Sequence, residues 1–260
     1  MSIQTDLNRA IATLYDIFQS YRAVFPLHAC DCPSCMPEEM MREMMRMPLK
    51  QLSANYFYEY NNAPCDISDK KTYADEIKYF LPRWFELLIQ GEELHHSPEL
   101  FLSRLRDCFP DYFSDSEREA VQHTANLLFR RRLHTFPWQD DLIPIHGSLF
   151  ESLAMFHTGG IDIRPMLADW RRTPNPTAAA HYVGDMLGYR WRIGIDNAFV
   201  EDEQDFQKLM REWIEHPDHR RHFAEQILIT PFPDDETYQY YYPILNWRDA
   251  AGFVFDQITF

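Results

Sequence analysis

The sequence predicts an all-α fold, an irregular helical bundle or a short α-solenoid of helix pairs. Three observations predict it. Apolar residues recur at steps of three and four along most of the chain, the period of one helical stripe. Many of the 17 prolines fall at helix starts or just past helix ends, while glycine is scarce at 8. No clear alternation of Val and Ile marks a sheet. No strict period is found, so a true repeat array is not established.

The first helix is read from Leu7, Ile11, Leu14, Ile17, Tyr21 and Val24, with Asp6 as its cap and Pro26 beyond its end. Pro37, Glu38 and Glu39 open a second, because proline fits a first turn and acids suit the helix dipole. It carries Met40, Met41, Met44, Met45 and Met47 and stops at Pro48. Leu49, Leu52, Tyr56, Phe57 and Tyr60 continue at helical spacing until Asn61-Asn62-Ala63-Pro64 breaks the chain. Ile77, Phe80, Leu81, Trp84, Phe85 and Leu88 follow, with Pro82 read as a first turn or a kink. Ser97-Pro98-Glu99 starts a helix that turns Leu100, Phe101, Leu105 and Cys108 inward. Ser114 and Glu117 fit a capping box opening a long helix through Val121, Ala125, Leu128 and Phe129 to Leu133. Further helices are expected near 145–157, 162–172, 176–189, 202–215, 218–229 and 247–257, with Asp202 and Asp218 at N-cap positions. The best boundary between halves is 137–144, giving 1–136 with a Cys-rich loop and 137–260, or one continuous domain.

Composition narrows the function. In 260 residues, 25 Lys and Arg oppose 40 Asp and Glu, a formal charge of −15. That argues against nucleic acid or an anionic membrane as partner and permits a basic one. No apolar run reaches the roughly 18–20 residues of a membrane span. The start lacks a basic and apolar leader, so the cytoplasm is the expected location.

The densest chemical feature is His28-Ala29-Cys30-Asp31-Cys32-Pro33-Ser34-Cys35. It overlaps Cys-x-Cys with Cys-x-x-Cys, and the latter is a turn geometry that points two thiolates at one ion. Cys65 or His28 can complete the shell. The expected ligands are Cys30, Cys32, Cys35 and Cys65, and the expected cofactor is zinc, with an iron–sulfur cluster as the alternative. Free thiols and a redox disulfide remain open readings. Cys108, on an apolar face, reads as a small buried hydrophobe.

Other constellations read as structure. His216, His219 and His222 sit among Asp and Arg at a helix start, where a solvated face outweighs a ligand role. His157-Thr158-Gly159-Gly160 resembles a helix C-terminus. Arg130, Arg131 and Arg132 suit the end of a helix dipole. No His-Glu-x-x-His, Gly-x-Ser-x-Gly or Gly-x-Gly-x-x-Gly occurs, so no enzyme is expected. Near the end, Asp234, Asp235, Glu236, Tyr238 and Tyr240 mix acids with tyrosines and are the candidate partner-binding residues; a loop leading into a core segment is the competing reading.

Three stretches carry a resemblance. They are Cys32-Pro33-Ser34-Cys35, then Pro48-Leu49-Lys50-Gln51-Leu52-Ser53, then Lys78-Tyr79-Phe80-Leu81-Pro82-Arg83-Trp84-Phe85-Glu86-Leu87-Leu88. In that order they resemble a poorly characterised bacterial family with an N-terminal Cys-x-x-Cys motif and a Leu-Pro-Arg-x-x-Glu-Leu helix. The resemblance covers about the first 110 residues. The family's usual Lys-Ala before a Thr-Thr-Trp-Gly turn is replaced by Asn61-Asn62-Ala63-Pro64-Cys65. Some members stand beside polymorphic toxin genes. The resemblance therefore implies a cytosolic helical immunity protein that blocks the active site of a cognate toxin domain. The −15 charge suits a basic toxin. The alternatives are a metal-dependent enzyme or redox sensor on the cysteine cluster, and a structural adaptor.

Overall fold

The computed structural model describes residues 2–30, 32, 35–135, 148–174, 176–192, 195, 197–232 and 246–259, with the backbone alone for 190–192. The described residues are all-α: twelve α-helices, two short 3-10 turns and no strand. No helix among them is long and apolar enough to cross a membrane. The helices sort into two compact units. One runs to Phe129 and includes Glu151–Ile163; the other takes 130–135, 148–150 and the chain from Arg164 onward. The predicted boundary at 137–144 lies outside the described residues.

In the first unit, α1 (Ile3–Phe18) packs on α4 (Lys70–Gln90). Leu7, Ile11 and Leu14 of the predicted stripe are buried, but Ile17 is only half-buried and its neighbour Phe18 takes the inward place. Two further details differ. Ser2 caps α1, accepting from the Thr5 N–H at 3.2 Å, while Asp6 lies inside the first turn. The helix also ends at Phe18 rather than Val24. The Tyr21 hydroxyl is drawn instead to Glu117, and Val24 is 59% exposed, so neither extends the stripe.

Next come α2 (Glu38–Arg46) and α3 (Ala54–Asn61), the latter preceded by a 3-10 turn at Leu49–Gln51. The predicted continuous run from Leu49 breaks there, where the Leu52 carbonyl accepts from Arg83 Nε at 2.9 Å. Asp69 caps α4 through the N–H groups of Lys71 and Thr72. Pro82 is neither a first-turn residue nor at an end; it is buried in mid-helix, where it leaves the Lys78 carbonyl without its usual donor. Gly91 ends α4 at φ 82° and Gly160 follows α7 at φ 76°, backbone that side chains disfavour.

The helix predicted from Ser97 is only a 3-10 turn at Pro98–Leu100 and a short α5 (Ser103–Arg106). It nonetheless buries Phe101, Leu105 and Cys108. The capping box holds at α6 (Asp115–Leu133): the Ser114 N–H donates to Glu117 at 2.7 Å, and the Glu117 N–H to Ser114 Oγ at 3.3 Å.

The remaining helices are α7 (Leu149–Thr158), α8 (Arg164–Arg172), α9 (Pro176–Arg192), α10 (Gln204–Glu215), α11 (Pro217–Ile229) and α12 (Trp247–Thr259). In the second unit α11 packs on α8, α9, α10 and α12. Tyr182 stacks on Phe223 at 3.8 Å, and Trp170 lies 5.2 Å from Trp213, an aromatic core drawn from four helices. Glu203 and His216, rather than Asp202 and Asp218, take the N-cap positions of α10 and α11. Buried Asp185 accepts from the Leu149 N–H at 3.1 Å at the start of α7, and burial pushes its carboxyl up to about 7.

Candidate metal centre

Cys30, Cys32 and Cys35 come together after α1. Their sulfurs all lie within 4.8 Å of one another, and each residue is half-buried. Among the described residues, they form the one group of three or more His, Cys, Asp or Glu close enough to hold an ion. The turn is local: the Cys35 N–H donates to the Cys32 carbonyl at 3.0 Å. Cys32 and Cys35 sulfurs are 3.0 Å apart. Hydrogen bonds with Cys32 and then Cys30 push the Cys35 thiol up to about 12.

Three sulfurs at this spacing could hold a metal ion, and zinc sets a scale for the fit. A Zn–S bond of about 2.3 Å puts tetrahedral sulfurs about 3.8 Å apart. The Cys32–Cys35 edge must open by less than about 1 Å, and the other two edges are no longer than 4.8 Å.

Cys65, the fourth cysteine expected in the shell, stands outside this group and is exposed. It lies two residues past Ala63, whose carbonyl accepts the Cys30 N–H at 2.9 Å. The segments carrying Cys30 and Cys65 are thus tied together next to the sulfurs.

Two buried charges hold those segments. Glu76 of α4 is 1% exposed and accepts from three donors: the His28 N–H at 3.0 Å, His28 Nδ1 at 3.0 Å and the Tyr60 hydroxyl at 2.5 Å. Arg104 of α5 is 6% exposed. It donates to the carbonyls of His28 at 2.6 Å, Tyr60 at 2.5 Å and Ala63 at 2.7 Å. Its guanidinium also lies 3.9 Å over the Tyr60 ring. The hydrogen bond to Glu76 pushes the His28 imidazole up, against the opposing pull of burial.

The sequence reading missed both charges. Glu76 falls between Tyr73 and Phe80 in steps of three and four, a charge on an inward stripe. Arg104 does the same between Phe101 and Cys108. Charged residues at core positions are the signal, since unpaired ones are almost never buried.

Elsewhere the structure assigns local roles. Cys108 is buried, and burial pushes its thiol up to about 12. His216 caps α11 by accepting from the Asp218 N–H, and His219 Nδ1 lies 2.8 Å from the Trp213 carbonyl. Arg130 pairs with Asp169 at 2.7 Å. Asp234, Asp235, Glu236, Tyr238 and Tyr240 lie outside the described residues. No family model, curated protein or solved structure matches the chain.

Proposed function

We propose that the chain is a non-catalytic binding protein, an immunity protein that occupies the active site of a basic toxin domain, and that zinc braces its N-terminal unit. The charge of −15 carries the choice of partner, joined by the family resemblance of the first 110 residues. A strongly acidic inhibitor attracts a basic domain over a Debye length of about 8–10 Å and so speeds encounter. Mixing the purified chain with the toxin domain encoded beside it is expected to give a stable equimolar complex and loss of toxicity. Association is expected to slow at least about tenfold between low salt and roughly 0.5 M. No complex at micromolar concentrations sinks the reading. A complex that leaves the toxin active moves it to a structural adaptor.

The convergence of three sulfurs within 4.8 Å supports the zinc. Elemental analysis of protein purified without added metal is expected to find about one zinc per chain. A structural site contributes folding energy, so a chelator, or Cys32→Ser with Cys35→Ser, is expected to lower the melting temperature. Several irons per chain would identify a cluster instead. Metal-free wild type that melts like the double variant ends the idea. The 3.0 Å contact between Cys32 and Cys35 favours one second reading, a redox sensor, whose mark is reversible loss of two titratable thiols.

A further inference from the structure

We infer that His28 supplies the fourth metal ligand through Nε2, that Glu76 is its positioning residue, and that Cys65 is not a ligand. The inference rests on the zinc reading above and assigns the vertex which three thiolates leave open.

Four contacts from three residues fix His28. Its N–H and its Nδ1 both meet Glu76 at 3.0 Å. Its carbonyl accepts from Arg104 at 2.6 Å, and its ring packs edge-on against Tyr73. With Nδ1 donating to the carboxylate, Nε2 is the nitrogen left to bind a metal once it gives up its proton. A histidine whose far nitrogen donates to a carboxylate is the usual arrangement for an imidazole that binds metal, because the acid sets both tautomer and orientation. His28 is also two residues from Cys30, and its side chain is 19% exposed.

Charge points the same way. Zinc with three thiolates already carries a net −1 beside the buried carboxylate of Glu76. A fourth thiolate would make it −2, with Arg104 as the neighbouring buried cation, whereas neutral imidazole adds nothing. Beside the Glu76 carboxylate the extra negative charge is unfavourable. Cys65 is exposed, and neither its sulfur nor a His28 nitrogen belongs to the group already within 4.8 Å. Ligation by His28 requires the imidazole and the three sulfurs to close the gap that separates them.

The test titrates metal-free full-length protein with Co²⁺, reading the visible bands, and measures zinc affinity by competition with a chelator. Cys65→Ser is expected to keep the wild-type bands and affinity. Glu76→Gln is expected to weaken zinc about 10–100-fold, and His28→Gln at least as much. His28→Cys is expected to recover affinity while moving the cobalt bands to those of an all-sulfur site. Should His28→Gln fail to fold by circular dichroism, His28→Cys and Cys65→Ser still decide the matter. Loss of affinity in Cys65→Ser, wild-type binding by His28→Gln, or unchanged cobalt bands in His28→Cys overturns the assignment and leaves the zinc reading standing. Wild type that takes up no stoichiometric zinc removes the zinc reading, and this assignment with it.

Discussion

Arg104→Met is expected to destabilise the N-terminal unit by about 3–5 kcal/mol, the range for removing one partner from a buried charged network. Methionine fills much of the volume but donates nothing. The His28, Tyr60 and Ala63 carbonyls then each lose a donor, and the contact over the Tyr60 ring goes too. An orphaned buried acceptor costs roughly 1–3 kcal/mol, and relaxation and water entry keep three of them from adding in full. Glu76 also loses the cation within its electrostatic reach. Arg104→Lys tests the fork against the charge. A lysine keeps the cation but cannot grip three carbonyls from a planar head, so it is expected to recover only part of the loss. Urea denaturation, compared at constant slope, measures both variants. Because these carbonyls hold the segments bearing Cys30 and Cys65, any metal affinity of the proposed site is expected to fall alongside stability. A loss below about 1 kcal/mol in Arg104→Met would show that the network is dispensable.

Helix existence was legible in the sequence because it rests on periodicity that burial enforces: α4 and α6 are buried on the stripes their spacing predicts, and α1 on the first three positions of its own, Leu7, Ile11 and Leu14. The ends were less legible because they depend on long-range partners. Tyr21 leaves α1 for Glu117, 96 residues away, and the Leu52 carbonyl is claimed by Arg83. The cysteine cluster was legible in part. Spacing within a tight turn predicts that Cys30, Cys32 and Cys35 converge, and they do. The choice between His28 and Cys65 as a fourth ligand depends on how Glu76, from a separate segment, meets His28, which spacing does not encode. Nor does any local motif reveal that Glu76 and Arg104, 28 positions apart, clasp the same residues. Only their place among inward apolar neighbours hints at it.

Glu117→Ala is the second large effect expected, again about 3–5 kcal/mol from the stranded charge, with about 1 kcal/mol more for the lost cap. One carboxylate serves three partners: Lys78 Nζ at 3.0 Å, the Tyr21 hydroxyl at 2.6 Å and the Ser114 N–H at 2.7 Å. Both charged side chains are 6% exposed. Alanine therefore strands a buried ammonium between the rings of Tyr21 and Phe113. Pairing Glu117→Ala with Lys78→Met separates the causes. Removing both charges is expected to return most of the loss, leaving chiefly the cap, because an apolar pair often replaces a buried ion pair at little cost. The pH dependence has a definite sign. Burial alone would raise the Glu117 carboxyl, but the bonds from Tyr21, Ser114 and Lys78 prevail and hold it below its ordinary value. A depressed folded-state value means the contribution is complete above the ordinary carboxyl range of about 4.3 and is lost as pH falls through the lower one. The gap between wild type and Glu117→Ala is thus expected to stay constant near neutral pH and to shrink on acidification. A gap that widens in acid would mean Glu117 folds protonated, and the ion pair with Lys78 would not be what secures α6 to α4.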